Sequence, residues 1–173
     1  ARPHAKAAAL LAVCTMVGSL PQAIIQAELE PIMLVVLQGM SSVSNGSNNS
    51  SCSGTEKVKE KEKENAGVLR ARATETLVAL LKNSLEAVMP HLATAIPLLY
   101  QLCTPSDPHF LPKAKLRVLA LGSLLEIARL PYAKLHPHRA MVSRGLLAPL
   151  DDRKRVVRQM AVKVRNEWMM MDR

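Results

Sequence analysis

A five-residue pattern recurs along this chain of 173 residues and limits what it can fold into. An apolar or small residue is followed by a basic one, and Ala stands three places after the basic residue. The pattern reads Ala5-Lys6-Ala7-Ala8-Ala9, then Leu69-Arg70-Ala71-Arg72-Ala73, Leu116-Arg117-Val118-Leu119-Ala120 and Val157-Arg158-Gln159-Met160-Ala161. Its basic residues lie 64, 47 and 41 positions apart. Setting aside the compositionally distinct residues 42–66 brings the first interval to about 40, so all three match the period of stacked helix pairs.

Apolar spacing is helical wherever it can be judged. In Lys6–Leu20 the residues Ala9, Leu10, Val13, Val17 and Leu20 line one face, and Pro21 closes the segment. Ala23–Met40 is apolar again, with a kink or break expected at Pro31. Helical patterning resumes at Val68–Lys82 and Leu85–Cys103, pauses in a loop marked by Pro105, Pro108 and Pro112, and returns in Lys113–Leu130 and Tyr132–Leu150. Asp151-Asp152 offers an N-cap for a last helix, Arg153–Met171. About seven helices and no strand are expected. The fold class is therefore all-α, an α-solenoid of HEAT/armadillo-like antiparallel helix pairs. The pattern falls on the second helix of each pair. There Ala lets neighbouring backbones approach, and the basic residue can reach a turn carboxylate such as Asp107 or Asp152. The repeated Arg is thus chiefly structural.

Residues 42–66 break the scheme. Ser41–Gly54 is almost all Ser, Asn and Gly, and Thr55–Glu64 alternates Lys and Glu around Val58. Such a segment buries too little apolar surface to offset chain entropy and is read as a disordered insertion, its Lys/Glu part able to extend the next helix as a fraying end. The organisation expected is first helices of a HEAT-repeat domain over 1–41, the insertion over 42–66, and the remaining repeats with a C-terminal capping helix over 67–173.

Four aromatic residues, Tyr100, Phe110, Tyr132 and Trp168, leave the core to aliphatic side chains. Cys14, Cys52 and Cys103 form no CxxC pair, so zinc and cluster-ligand readings lack support, and the odd number suits a reducing compartment. Arg2, His4 and Lys6 before Ala7–Gly18 superficially resemble a leader, yet no A-x-A cleavage site follows. The chain begins at Ala1 and not Met, which reads as a fragment or a processed chain. No run is long enough to span a membrane. The sequons at Asn45 and Asn49 are chance matches in a cytosolic chain.

Charge is strongly asymmetric. Residues 111–173 carry fourteen Lys or Arg against five Asp or Glu, which equals the whole net charge of +9. An acidic partner for this part is one reading, a solvated basic face the other. On the last helix, Val157, Met160, Ala161, Val164, Trp168 and Met171 share one apolar face, with Lys154, Arg158 and Arg165 beside it. Arg153 and Arg155 stand at the end where the helix dipole is positive, so they need the nearby acids or an acidic partner. The candidate partner-binding set is Arg153, Lys154, Arg155, Arg158, Arg165 and Trp168. Trp168 has two roles open to it, an interface anchor or a cap on the last repeat's core, and its place on the apolar face favours the cap. Met169–Met171 offer adaptable apolar contacts. His136 and His138 flank Pro137 in an H-x-H pair, read as an exposed turn. No nucleophile–base grouping, phosphate loop or carboxylate pair has usable spacing, so no catalytic residue, metal or cofactor is expected.

The last fifty residues carry more than a generic repeat. Leu130-Pro131, Leu135-His136-Pro137, the run Leu146-Leu147-Ala148-Pro149-Leu150-Asp151-Asp152-Arg153-Lys154-Arg155-Val156-Val157-Arg158, Ala161-Val162 and Glu167-Trp168 resemble the C-terminus of a particular family. It is the large HEAT-repeat subunit of cytosolic iron–sulfur cluster targeting complexes, also known as a nucleotide-excision-repair and transcription factor named for methyl-methanesulfonate sensitivity. The resemblance is specific over 130–168 and general over 1–129. The segment 42–66 and the tail Met169–Arg173 are atypical. The resemblance implies a cytoplasmic and nuclear adaptor whose C-terminal repeats dock a small scaffold subunit and, through it, a β-propeller subunit. The assembly would pass clusters to apo iron–sulfur client proteins, among them DNA-repair and replication enzymes.

Two other readings compete. The basic third would suit a nucleic-acid-binding repeat, though the shortage of aromatics argues against single strands, and direct nucleic-acid binding is not expected. A transport or scaffold protein with unrelated partners is the other. Homo-oligomerisation is left open.

Overall fold

The computed structural model describes residues 3–17, 19–41, 56–84, 88–104 and 113–171. Every regular element among them is helical, in agreement with an all-α repeat fold. The helices are α1 (Pro3–Val17), α2 (Gln22–Ala27), α3 (Leu29–Ser41), α4 (Glu56–Asn83), α5 (Leu92–Cys103), α6 (Ala114–Ile127), α7 (Tyr132–Gly145), the short α8 (Leu147–Leu150) and α9 (Arg155–Met170). A 3-10 turn, Met89–His91, leads into α5. The chain forms two compact units, Ala1–Thr76 and Leu77–Arg173.

In the first unit α1 packs on α3, and α4 joins both. The buried side chains of α1 are Leu10, Cys14 and Val17. That is a correction to the expected face. Leu10 and Val17 lie on it, but Ala9 and Val13 are exposed and Leu20 is half-buried. From Ala7 to Val17 α1 holds no charged residue and Thr15 as its one hydroxyl side chain, so spacing alone cannot choose between its sides. The Thr76 hydroxyl on α4 lies 3.2 Å from the Cys14 carbonyl and 2.9 Å from that of Arg72. Gly39 on α3 sits where a Cβ would come within 3.2 Å of the Ala73 Cβ, so the pattern alanine of α4 does bring two backbones close.

The break before α3 falls at Glu28, ahead of Pro31. Pro31 lies in the first turn of α3, where helix N–H groups have no intrahelical partner and a missing one costs nothing. The Lys/Glu stretch is helical from Glu56 and continuous with the rest of α4. Residues 42–55 of the expected insertion, and Asp107 with the loop around it, lie outside the described residues.

In the second unit α6 packs most extensively on α5 and on α9, while α7 packs on α5, α8 and α9. Each of the pairs α5–α6 and α7–α9 thus touches its neighbour, as in stacked helix repeats. Pro131, in extended backbone, separates α6 from α7. Gly145 ends α7 against the ring of Tyr100 on α5, close enough that any Cβ would overlap it. Among the described residues the core is aliphatic, with Leu99, Leu121, Leu124, Ile127, Leu135 and Val164 all but inaccessible, and Trp168 as its one fully buried aromatic.

Candidate docking surface on the last repeat

The turn before α9 is held from beneath by a buried ion pair. Arg117, the pattern arginine of α6, brings its Nε within 2.7 Å of Asp152 Oδ2, and its second guanidinium nitrogen donates to Asp152 Oδ1 at 2.9 Å. The two side chains are only 3% and 5% exposed. Oδ1 also accepts the Lys154 backbone N–H at 2.7 Å. Burial by itself would raise the Asp152 carboxyl. The hydrogen bonds from Arg117 and Lys154, with the charges of Arg117 and Arg158, outweigh it and hold the pKa below its ordinary value. The expected reach of a repeat arginine to a turn carboxylate is therefore present at Arg117.

The N-cap expectation needs correcting. The cap position is Lys154 and the helix begins at Arg155. Asp152 lies two residues too early and its carboxylate is committed to Arg117. The first turn of α9 contains no acidic residue. Arg153, Lys154 and Arg155 are all exposed, and among the described residues none of their side chains pairs with a carboxylate. The remaining nearby acid is the exposed Asp151.

Arg158, the pattern arginine of α9, is exposed but braces the same turn, donating to the Asp152 carbonyl at 2.7 Å and the Arg153 carbonyl at 3.3 Å. Arg165 is half-buried on the flank of α9. Trp168 is wholly buried, and its indole N–H donates to the Leu124 carbonyl at 3.0 Å. It fills the α6–α9 interface and is not available to a partner, which corrects its place in the candidate set. Of the expected apolar face, Val157, Ala161, Val164 and Trp168 are buried, while Met160 and Met171 at its edge are half-buried.

Sequence reasoning missed part of the outer face. Val156 and Val162 stand exposed on α9 among its cations, beside Met169 and Met170, whose apolar contacts the sequence did suggest. Helical spacing contains that signal, because both valines fall off the buried stripe. His136 is exposed and its ring meets Tyr132 edge-on at 5.4 Å, and no metal-ligand cluster exists among the described residues. No described helix is long and apolar enough to cross a membrane.

No family model matches the chain. Individual proteins do. It is 27% identical over 164 residues, 95% of its length, to a Dictyostelium discoideum protein named MMS19 nucleotide excision repair protein homolog. The chain is similar to the MMS19 nucleotide excision repair proteins. It is also 38% identical over 81 residues to the Drosophila melanogaster MMS19 protein and 43% identical over 60 residues to the Danio rerio homolog. These matches cover 47% and 35% of the chain. The chain spans only a small part of these MMS19 proteins, 13%, 8% and 6% of their lengths in turn.

Proposed function

We propose that the chain is a protein–protein adaptor without enzymatic activity, the HEAT-repeat part of an MMS19-type large subunit of a cytosolic iron–sulfur cluster targeting complex. In this reading it works in cytoplasm and nucleus. It docks a small scaffold subunit and, through it, a β-propeller subunit, and it helps deliver clusters to apo-proteins that include repair and replication enzymes. The cluster is cargo of the assembly. The observation that carries the reading is the similarity to the Dictyostelium MMS19 protein along 95% of the chain. The cationic turn Arg153, Lys154 and Arg155 supports an acidic docking partner, since cations at a helix N-terminus are unfavourable until an anion meets them.

The test is calorimetry of the chain with the purified small scaffold subunit at low and high salt, beside a variant carrying Arg153→Glu, Lys154→Glu and Arg155→Glu. The reading expects binding by the wild type and its loss in a variant that melts at an unchanged temperature. A well-folded wild type that does not bind would sink it.

The excess charge of +9 within residues 111–173 favours a second reading, electrostatic binding of a nucleic-acid duplex. That binding would weaken steeply with salt, whatever the duplex sequence.

A further inference from the structure

The cationic turn before α9 continues into a seam along the helix. Arg155, Arg158, Val162, Arg165 and Met169 follow one another at intervals of three, four, three and four residues. In an α-helix that spacing sets them in one line, on the flank of the buried stripe of Val157, Ala161, Val164 and Trp168. It is also the spacing with which one helix receives another in coiled-coil packing. Arg155 and Arg158 are exposed, Val162 is exposed by 46% and Met169 by 47%, and Arg165 is half-buried.

Two observations give the chemistry of what fits this seam. Its charge has one sign. The single acidic residue of α9, Glu167, falls on the other flank, and Arg139 of α7 adds a cation near the far end, donating to the Met169 carbonyl at 3.3 Å. Arg165 is also incompletely satisfied. Its Nε is buried and meets no acceptor among the described residues, whereas Arg158 donates to two backbone carbonyls of the turn. A buried donor is costly until an acceptor reaches it. A nucleic acid would answer the arginines and leave Val162 and Met169 unmet. A second copy of this seam would set arginine against arginine.

We infer that this flank of α9 receives an acidic amphipathic helix of a partner protein, its carboxylates on Arg155, Arg158 and Arg165 and its apolar side chains on Val162 and Met169. Arginine suits the task, since its planar fork holds a carboxylate through two hydrogen bonds. An amphipathic helix laid along a complementary helix face is a recurrent mode of recognition, read by anchors at this same spacing. The proposal rests on the docking reading for a protein partner at this repeat. To it the seam adds the partner's chemistry and a contact line of about four helical turns.

The probe is a designed helical peptide about three heptads long, with Leu at its facing positions, Glu flanking them and a dye at one end. Binding to the 173-residue chain is read by fluorescence anisotropy, beside a peptide with every Glu replaced by Lys and beside poly-glutamate. The acidic peptide is expected to bind, the lysine peptide not to bind, and poly-glutamate to bind about tenfold or more weakly. Val162→Asp and Arg165→Gln should each weaken the acidic peptide by about tenfold or more at an unchanged melting temperature. Lys163→Gln, which removes a charge off the seam, should change it by less than about twofold. Failure of the acidic peptide to bind overturns the inference. So does equal binding of poly-glutamate, or an equal loss in the Lys163 variant, either of which makes the attraction one of diffuse charge. The small scaffold subunit takes no part in this assay, so failure here and failure of the docking reading, which the calorimetry tests, are told apart.

Discussion

Arg117 on α6 and Asp152 in the turn before α9 meet through a 2.7 Å ion pair buried inside the last repeat. Removing one partner leaves the other charge buried and unmatched. Asp152→Ala is therefore expected to destabilise the chain by about 3–5 kcal/mol. Replacing both, as Arg117→Met with Asp152→Leu, should recover part of that loss. Urea unfolding of the three variants checks this through the midpoint, with the slope unchanged.

The same pair sets an acid limit. The folded pKa of Asp152 lies below its ordinary value of 3.8, so its contribution is fully present above that value and is lost as pH falls through the folded pKa. Stability should drop on acidification below about pH 4, and Asp152→Asn should flatten that part of the profile. Thermal midpoints measured from pH 7 down to pH 2.5 in both proteins provide the comparison.

Trp168 reports on the same interface. Its emission should be blue-shifted and resistant to acrylamide in the folded chain, and both features should vanish on unfolding. Trp168→Phe keeps most of the packing but loses the hydrogen bond to Leu124, whose carbonyl still accepts the Ala128 N–H. A loss of roughly 1–2 kcal/mol is expected, against about 3–5 kcal/mol for Trp168→Ala.

Two thiols should be silent. Cys14 and Cys103 are buried, and burial pushes the Cys103 thiol up to about 12, against a smaller downward pull from Arg117. In a Cys52→Ser chain at pH 8, a thiol reagent should find no reactive group until denaturant is added, when both should react.

Gly145 tests the close approach of α7 to α5. Gly145→Ala drives a methyl into the Tyr100 ring and should cost about 1–3 kcal/mol, with Tyr100→Ala restoring stability in the double variant. Equal destabilisation in the single and double variants would show the glycine is needed for another reason.

Much of this fold was legible in the residues. The recurring pattern located the second helix of the pairs α3–α4, α5–α6 and α7–α9, and the centre of the apolar stripe on α9 is buried as read. The failures share a cause. On α1 the lack of polar residues left periodicity with two equal answers, and the structure took the face containing Cys14. At Asp152 a good cap residue was claimed by a long-range ion pair with Arg117, thirty-five residues away, which local capping rules do not register. Trp168 has a type that suits an interface, but its place on the apolar face favoured the core, and its burial with the hydrogen bond to Leu124 agrees. The exposed Arg153, Lys154 and Arg155 were legible because their charges conflict with the helix end they occupy.

The docking claim is tested most directly by hydrogen exchange of the chain with and without the small scaffold subunit. The account predicts slowed exchange concentrated in residues 151–158, where the cationic turn leads into α9. Protection confined to other helices, or no change at a saturating concentration of the subunit, would contradict it.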